Sequence, residues 1–277
     1  MMKSMKAWRF LGIILCAALS GCGRLDFAQA RHLEKGGRFS RALKAYESFL
    51  ARVPQGPREA EALVRAGRIY SGVFGRCDRA VPMLERAARM QGVGDWPARA
   101  RESLLECPDL FPLKGGSRWT FVDTASGGRN MKLELSVSSA VVRGVRIQGA
   151  YYAGKNRFRG YDRSYTKEDW MLWEEEGSTR RPILRYPFLA GQSWTDEHSG
   201  WSYRIMSEGL RVRTRAGDFE GCFKVRSQGA GDSQRAWVYD YYCPGVGRVK
   251  TTIGTSEGEH PNTELSDYDV PAVPSQN

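Results

Sequence analysis

The chain changes its hydrophobic period part-way along. From Asp26 to about Cys107, apolar residues recur at three- and four-residue spacing, the mark of amphipathic helices packed by one face. Breaks at Gly36-Gly37, Pro54-Gln55-Gly56-Pro57, Gly72 to Gly75 and Gln91 to Gly94 divide this stretch into helices joined by short turns. The Pro-containing segment Cys107-Pro108-Asp109-Leu110-Phe111-Pro112 ends that period, and alternation takes over. Met131, Leu133, Leu135 and Val137 alternate with Lys132, Glu134 and Ser136, and Leu210 and Val212 alternate with Arg211 and Arg213. Both patterns predict half-buried strands. Further strands are expected near Arg118 to Asp123, Val141 to Tyr151, Trp170 to Glu175, Trp201 to Ser207, Phe219 to Arg226, Ala236 to Tyr242, Gly247 to Ile253 and Glu264 to Tyr268. The fold class is therefore α+β in two domains. Helices fill residues 22–110, an antiparallel all-β domain built as a sandwich or a half-barrel fills 111–270, and 271–277 form a flexible tail.

Within the β region one motif recurs without gaps. Phe111-Pro112-Leu113-Lys114-Gly115-Gly116-Ser117-Arg118-Trp119 matches Tyr186-Pro187-Phe188-Leu189-Ala190-Gly191-Gln192-Ser193-Trp194, with aromatic, Pro, Gly and Trp at the same offsets. Such a motif reads as a turn whose Gly takes a special backbone angle, followed by a Trp that begins a strand and anchors the core. With Ala216-Gly217-Asp218-Phe219 and Tyr242 to Lys250, this region resembles a recurrent β-domain of bacterial envelope proteins, a likeness that implies a fold and no activity.

The amino terminus sets the compartment. Lys3, Lys6 and Arg9 precede an apolar run from Phe10 to Leu19, and Leu19-Ser20-Gly21-Cys22 follows. Charged, greasy and small-residue parts in that order form a secretory signal, too short to span a bilayer. This one resembles the signal of bacterial lipoproteins, whose lipobox places a small residue before an invariant Cys. The resemblance implies removal of residues 1–21, a diacylglyceryl group on the Cys22 thiol and an acylated, palmitate-type new amino terminus. Several acyl chains hold a soluble body firmly on a membrane. Gly23 rather than Asp follows the cysteine, which by the family rule favours the periplasmic face of the outer membrane. The whole chain carries a formal charge of +11, and loss of the three basic residues of the signal lowers it to +8. That excess favours anionic surfaces, while export argues against nucleic acid as a partner.

Ala30, Leu33, Gly37, Phe39, Ala42, Tyr46, Phe49 and Pro54, followed by Leu63, Gly67, Tyr70, Gly75, Ala80, Leu84 and Ala87, resemble two tetratricopeptide repeats, with Trp96 to Cys107 as a closing helix. In such repeats small residues sit where paired helices cross and aromatics fill the next layer. The resemblance implies a concave face that holds an extended peptide or partner domain. Arg31, Glu34, Arg38, Arg65, Arg68 and Ser71 are the candidates to line it. The lipid-anchored tetratricopeptide subunit of the outer-membrane barrel assembly machinery is similar in arrangement, but it has more repeats and no such β-domain.

Outside the signal and lipobox four cysteines remain, which suits an oxidising compartment. Cys77 and Cys107 lie about equally far from the turn between two helices, and Cys222 and Cys243 flank the turn Ser227 to Gln234. These placements predict the pairs Cys77 with Cys107 and Cys222 with Cys243. No CxxC spacing is present and His is scarce, so no metal site is expected.

Catalytic signatures are missing: the chain has no GxSxG elbow, HExxH helix, phosphate loop or dinucleotide fingerprint, and no cofactor is expected. His32, His198 and His260 read as solvated. Glu174-Glu175-Glu176 and Asp196-Glu197-His198 are the best acidic clusters, but neighbouring strand residues face opposite ways, which argues against a convergent carboxylate pair, and they read as solvated turns or strand ends. One segment interleaves aromatic and basic residues, with Tyr151, Tyr152, Lys155, Arg157, Arg159, Tyr161 and Arg163 in a Gly-punctuated loop or hairpin. It is a candidate for an anionic lipid or glycan, set against strand aromatics facing the core and arginines facing water. The sequence thus leads to a non-catalytic, lipid-anchored envelope protein that binds another envelope protein. A lipid- or glycan-binding lipoprotein using the Trp-rich β-domain is the alternative, and an envelope hydrolase stands third.

Overall fold

The structure is a computed structural model that describes residues 26–52, 56–141, 144–229 and 236–271. Cys22 and the rest of the lipobox lie outside the described residues, as does the tail beyond Pro271. The chain divides into two compact units between Ser103 and Leu104.

The first unit holds α1 (26–35), α2 (Phe39–Arg52), α3 (Pro57–Gly72), α4 (Cys77–Ala88) and α5 (Trp96–Leu104). Every helix break falls where a Gly- or Pro-rich turn was expected. Gly37, Gly56, Gly75, Gly92 and Gly94 all adopt positive φ, a conformation that only Gly reaches without strain. Phe27, Ala30 and Leu33 of α1 pack on Leu43, Tyr46 and Phe49 of α2 and on Ala62, Ala66 and Ile69 of α3. Ala42 and Ala80 are fully buried, as packing positions should be. At Gly67 a Cβ would come within 2.7 Å of the Leu84 side chain, so absence of a side chain is what lets α3 and α4 approach. Glu59, in the first turn of α3, is buried but ion-paired to Arg86 and sits at the positive end of the helix dipole.

The second unit is one twelve-stranded antiparallel sheet: β1 (Arg118–Asp123), β2 (Lys132–Val141), β3 (Gly144–Ala153), β4 (Asn156–Glu168), β5 (Met171–Glu176), β6 (Thr179–Arg185), β7 (Ser193–Thr195), β8 (Ser202–Thr214), β9 (Gly217–Gln228), β10 (Ala236–Cys243), β11 (Gly247–Thr255) and β12 (Gly258–Asp269). Its spatial order is β6-β5-β4-β3-β2-β1-β12-β11-β10-β9-β8-β7. Two six-strand meanders therefore meet at the β1–β12 pair, leaving β6 and β7 at the edges. The sheet curls into a nearly closed barrel, and across the seam the Trp194 Nε1–H donates to the carbonyl of Pro182 at 2.6 Å. This resolves the choice between sandwich and half-barrel in favour of a single curled sheet.

Three strand expectations need correction. Trp201–Ser207 and Leu210–Val212 belong to one strand, β8, whose ladder shifts register between Ile205 and Val212 and so breaks the alternation at Glu208-Gly209. β4 continues the basic-aromatic hairpin as far as Glu168, through residues that show no clean period-two alternation. β6 lies in Arg-rich sequence at a sheet edge and contains Pro182, a residue tolerated at edges because it donates no ladder hydrogen bond.

The repeated motif has the same structure in both copies. Gly116 and Gly191 have φ of 84° and 92°. Trp119 and Trp194 are both buried, and each donates its indole N–H to a main-chain carbonyl, Val246 at 2.7 Å and Pro182 at 2.6 Å. The leading aromatics enter the interior, with Phe111 on Tyr165 at 4.8 Å and Tyr186 stacked on Trp170 at 5.6 Å.

The Cys222–Cys243 disulfide joins β9 to β10, at the position that continues the Tyr242–Phe223 register. Cys77 and Cys107 are disulfide-bonded as well.

Candidate functional site

Among the described residues, polar and charged side chains gather at a groove in the helical unit and in the interior of the barrel. The first is a groove of about 270 Å³ in the helical unit, lined by Glu34, Phe39, Val64, Arg65, Arg68, Ile69, Val73, Trp96 and Arg99. Helical spacing explains why these residues meet. Arg65, Arg68 and Ile69 recur at three and four residues along one face of α3, and Trp96 and Arg99 do the same on α5.

Arg65 is the organising side chain. Its Nε donates to Glu61 at 2.7 Å and its Nη1 donates to Glu34 at 3.1 Å, while its guanidinium lies 5.7 Å from the Trp96 ring centre. Tyr46 donates its hydroxyl to Glu34 at 2.5 Å. Burial together with the Glu34 hydrogen bond pushes the Tyr46 hydroxyl far above its usual range, so it remains a donor at all physiological pH. Both acids that face Arg65 are thus spoken for, whereas Arg68 and Arg99 are exposed at the rim. Arg99 lies over the same Trp96 ring at 4.8 Å.

Of the six residues singled out on this face, Glu34, Arg65 and Arg68 line the groove and the others do not. Arg31 is exposed and 3.6 Å from Glu61, Arg38 is exposed, and Ser71 donates its hydroxyl to the Arg68 carbonyl. Trp96, Arg99 and Phe39 were missed as site residues. The three-residue step from Trp96 to Arg99 was the available signal.

The second place is the interior of the barrel. Glu174 on β5 is buried, contrary to the reading of Glu174-Glu175-Glu176 as solvated. Strand alternation sends Glu174 inward and Glu175 outward to Arg180. Glu174 accepts from Arg163 at 2.9 Å, from Tyr165 at 2.7 Å and from Arg181 at 2.5 Å. Tyr165 and Tyr161 share a hydroxyl–hydroxyl hydrogen bond. Burial alone would raise the Glu174 carboxyl, but the charges of Arg163 and Arg181 and the Tyr165 hydrogen bond outweigh it and hold the group below its usual range. Burial and the Glu174 charge push Tyr161 up to about 12, and burial with the neighbouring Tyr161 and Glu174 raises Tyr165 well above its usual range. On the opposite wall Asp240 takes a hydrogen bond from Thr251 at 2.6 Å and faces Arg248 at 3.7 Å. There burial dominates, and Asp240 is raised.

The free space beside this network is small. A cavity of about 40 Å³ lies among Phe111, Trp119, Phe121, Tyr161, Tyr165 and Arg248. That is room for a water or two, well short of the roughly 300 Å³ at which pockets for drug-sized ligands begin.

The basic-aromatic segment does not form one surface. Tyr161 and Arg163 turn inward to the Glu174 network, and the Arg163 Nη2 is a further 2.8 Å from Glu176. Tyr152 and Arg157 line an open polar trough of about 830 Å³ on the other face of β1–β4, shared with Glu134, Gln148 and Asp162. Tyr151, Lys155 and Arg159 lie toward the β3–β4 turn, with Lys155 and Arg159 exposed. Asp196 is buried and accepts from the His198 N–H and the Ser199 hydroxyl, closing a turn rather than meeting a second acid. His32, His198 and His260 are all exposed.

No family model matches the chain, and no curated protein matches it significantly. Among solved structures, an exported protein with a YmcC-like fold from Bacteroides fragilis is similar over 57% of this chain and 98% of its own, at 14% identity and a TM-score of 0.40. A protein described as a lipoprotein, from Parabacteroides distasonis, is similar over 58% of this chain and 98% of its own, at 16% identity and a TM-score of 0.40. At these scores the likeness carries no inference about what this chain does.

Proposed function

We propose that this is a non-catalytic, lipid-anchored protein of the cell envelope, held at the periplasmic face of the outer membrane by acyl groups on Cys22, whose helical unit grips a segment of another envelope protein. The observation that carries the reading is the groove around Arg65. An apolar floor of Phe39, Val64, Ile69 and Trp96, with Arg68 and Arg99 exposed at its edge, suits an extended segment that offers an apolar side chain beside a carboxylate. The buried Ala42 and Ala80 and the close Gly67–Leu84 crossing support reading the helices as tetratricopeptide-like repeats.

Electrostatics of the barrel interior favour a structural rather than a catalytic role. A carboxylate held ionised by two guanidiniums is a poor proton donor near neutrality, and tyrosines whose hydroxyls are raised well above their usual range stay protonated and are poor nucleophiles. The small interior cavity also disfavours the reading of the β-domain as a carrier of an enclosed acyl chain.

Co-purification from solubilised membranes tests the proposal. Arg68→Glu with Arg99→Glu reverses the exposed rim charge, and the partner recovered with the unaltered protein should then be lost while membrane attachment persists. Identical partner lists would overturn it.

A glycan-binding second reading rests on the trough of about 830 Å³, where Gln148, Asp162, Glu134 and Arg157 offer hydrogen bonds beside the Tyr152 ring. Its mixed charge suits a neutral sugar better than an anionic one. Glycan retained by the purified protein and lost on Tyr152→Ala would support it.

A further inference from the structure

At one end of the sheet two neighbouring turns carry cations and no acid. The β3–β4 turn region, 153–160, contains Lys155, Arg157 and Arg159, and the β1–β2 turn, 124–131, contains Arg129. Lys155, Arg157, Arg159 and Arg129 are all exposed. The Gly154 N–H donates to the Arg129 carbonyl at 3.1 Å, which holds the two turns side by side. Asp123, at the base of the second turn, spends its carboxylate on that turn. It accepts from the Ser126 N–H at 2.7 Å, the Ser126 hydroxyl at 2.6 Å and the Met131 N–H at 3.0 Å. Glu176, itself exposed, lies 3.8 Å from Arg159, and Arg157 borders the trough that also holds Glu134, Asp162 and Glu176.

Among these cations stands one apolar side chain. Tyr151 pairs with Arg159 and Tyr152 with Arg157, so Phe158 is the extra residue of a β-bulge on β4. A bulge re-aims the side chain it carries, and Phe158 is 59% exposed, the most exposed large apolar residue among those described. Tyr151 lies beside it, ring centres 6.0 Å apart, and the Arg159 guanidinium lies 5.8 Å from the Tyr151 ring centre. An apolar group exposed on a hairpin turn that also carries several long basic side chains matches the boundary of an anionic bilayer. There an aromatic side chain leaves water while guanidinium and ammonium groups stay with the phosphates.

We propose that the β3–β4 hairpin tip is a second membrane contact. Phe158 enters the interfacial layer of an anionic phospholipid bilayer, Arg129, Lys155, Arg157 and Arg159 meet its phosphates, and Tyr151 lies at headgroup level. Four cations on separate flexible stems suit a fluid array of phosphates, which adjusts to their spacing. The inference rests on the envelope location proposed above for the presence of a bilayer, but not on the lipid anchor, and the test separates the two.

The chain from residue 22 onward, carrying Cys22→Ser and therefore no acyl group, is mixed with vesicles of phosphatidylcholine alone or blended with phosphatidylglycerol, and binding is read by co-sedimentation. It should bind the anionic vesicles, ignore the neutral ones and be released by salt. Removing Lys155 or Arg157 as Lys155→Ala or Arg157→Ala should weaken binding about fivefold each, and Phe158→Ser about tenfold. Because Phe158 is exposed, the melting temperature should not move. Phe74→Ser, at an exposed phenylalanine of the helical unit, should leave binding unchanged. Equal binding to both vesicles, or equal effects of Phe158→Ser and Phe74→Ser, would overturn the proposal. Binding that follows charge alone, with Phe158→Ser silent, would overturn it too and would indicate an acidic polymer as the partner. If the natural protein proved to lack acyl groups while these results held, the anchor would fail and the hairpin contact would stand.

Discussion

Trp194, on one edge of the sheet, donates its indole N–H to the carbonyl of Pro182 on the other, and so joins edges that share no ladder pairing. Trp119, on β1 where it meets β12 at the centre of the sheet, makes the equivalent bond to the carbonyl of Val246 in the β10–β11 turn. One nine-residue motif thus serves twice, each time turning the chain at a positive-φ glycine and setting an indole into the core. Replacing either indole by Phe keeps most of the bulk and leaves a buried carbonyl without its donor. Trp194→Phe and Trp119→Phe should each destabilise the β unit by about 1 to 3 kcal/mol, measured by urea unfolding.

The buried acid of β5 should be more costly to alter. Glu174→Gln leaves Arg163 and Arg181 without their shared counter-charge, and breaking a buried pair in this way costs about 3 to 5 kcal/mol. The Tyr165 hydroxyl keeps an acceptor in the amide oxygen, so the loss should arise from charge rather than shape. Combining Glu174→Gln with Arg163→Met should recover part of it. A double-mutant cycle measured by chemical unfolding gives the coupling, and additive effects would contradict the network.

Acid should loosen the protein through Asp123 in a defined window. The Ser126 hydroxyl first, and then the N–H groups of Ser126, Met131 and Gly128, hold its carboxyl down to about 2, below its ordinary 3.8. A depressed folded-state pKa means that the contribution is complete above the unfolded value and fades as pH falls from about 4 toward 2. Asp123→Asn should remove this component of the pH dependence, and NMR titration of the carboxyl should show its midpoint near the lower limit. A midpoint at the ordinary value would contradict the turn geometry.

In the helical unit the tightest crossing is open to a one-methyl test. Gly67→Ala places a carbon within 2.7 Å of Leu84 and should destabilise the helical unit by about 1 to 3 kcal/mol. Leu84→Val in the same chain should relieve part of that cost, as thermal melting of the pair would show.

What the sequence made legible follows from where signals are local. Helix boundaries were readable because Gly and Pro punctuate them, and the Cys222–Cys243 pair because a hairpin brings equidistant residues together. The repeated Trp motif gave its glycine conformation and its buried indoles, since both depend on neighbours in the chain. Glu174 was misread because its partners come from the two strands that flank β5, Arg181 directly opposite on β6 and Arg163 beside Tyr165 on β4, and the register of those pairings is not written in the local sequence. Trp96 and Arg99 escaped notice for a similar reason, because the groove they complete draws its other residues from α1, α2 and α3, elements distant from α5 in sequence. The β8 strand was split because a register shift interrupts the alternation that identifies strands.

The groove around Arg65 is the centre of the functional account, and site-specific photocrosslinking in intact cells tests it most directly. A photoreactive residue at Arg68, on the groove rim, should capture one defined envelope protein, and the same residue at exposed Glu197 of the β unit should not. Capture of the same proteins from both positions, or of none from Arg68, would contradict the claim that the helical unit holds a specific partner.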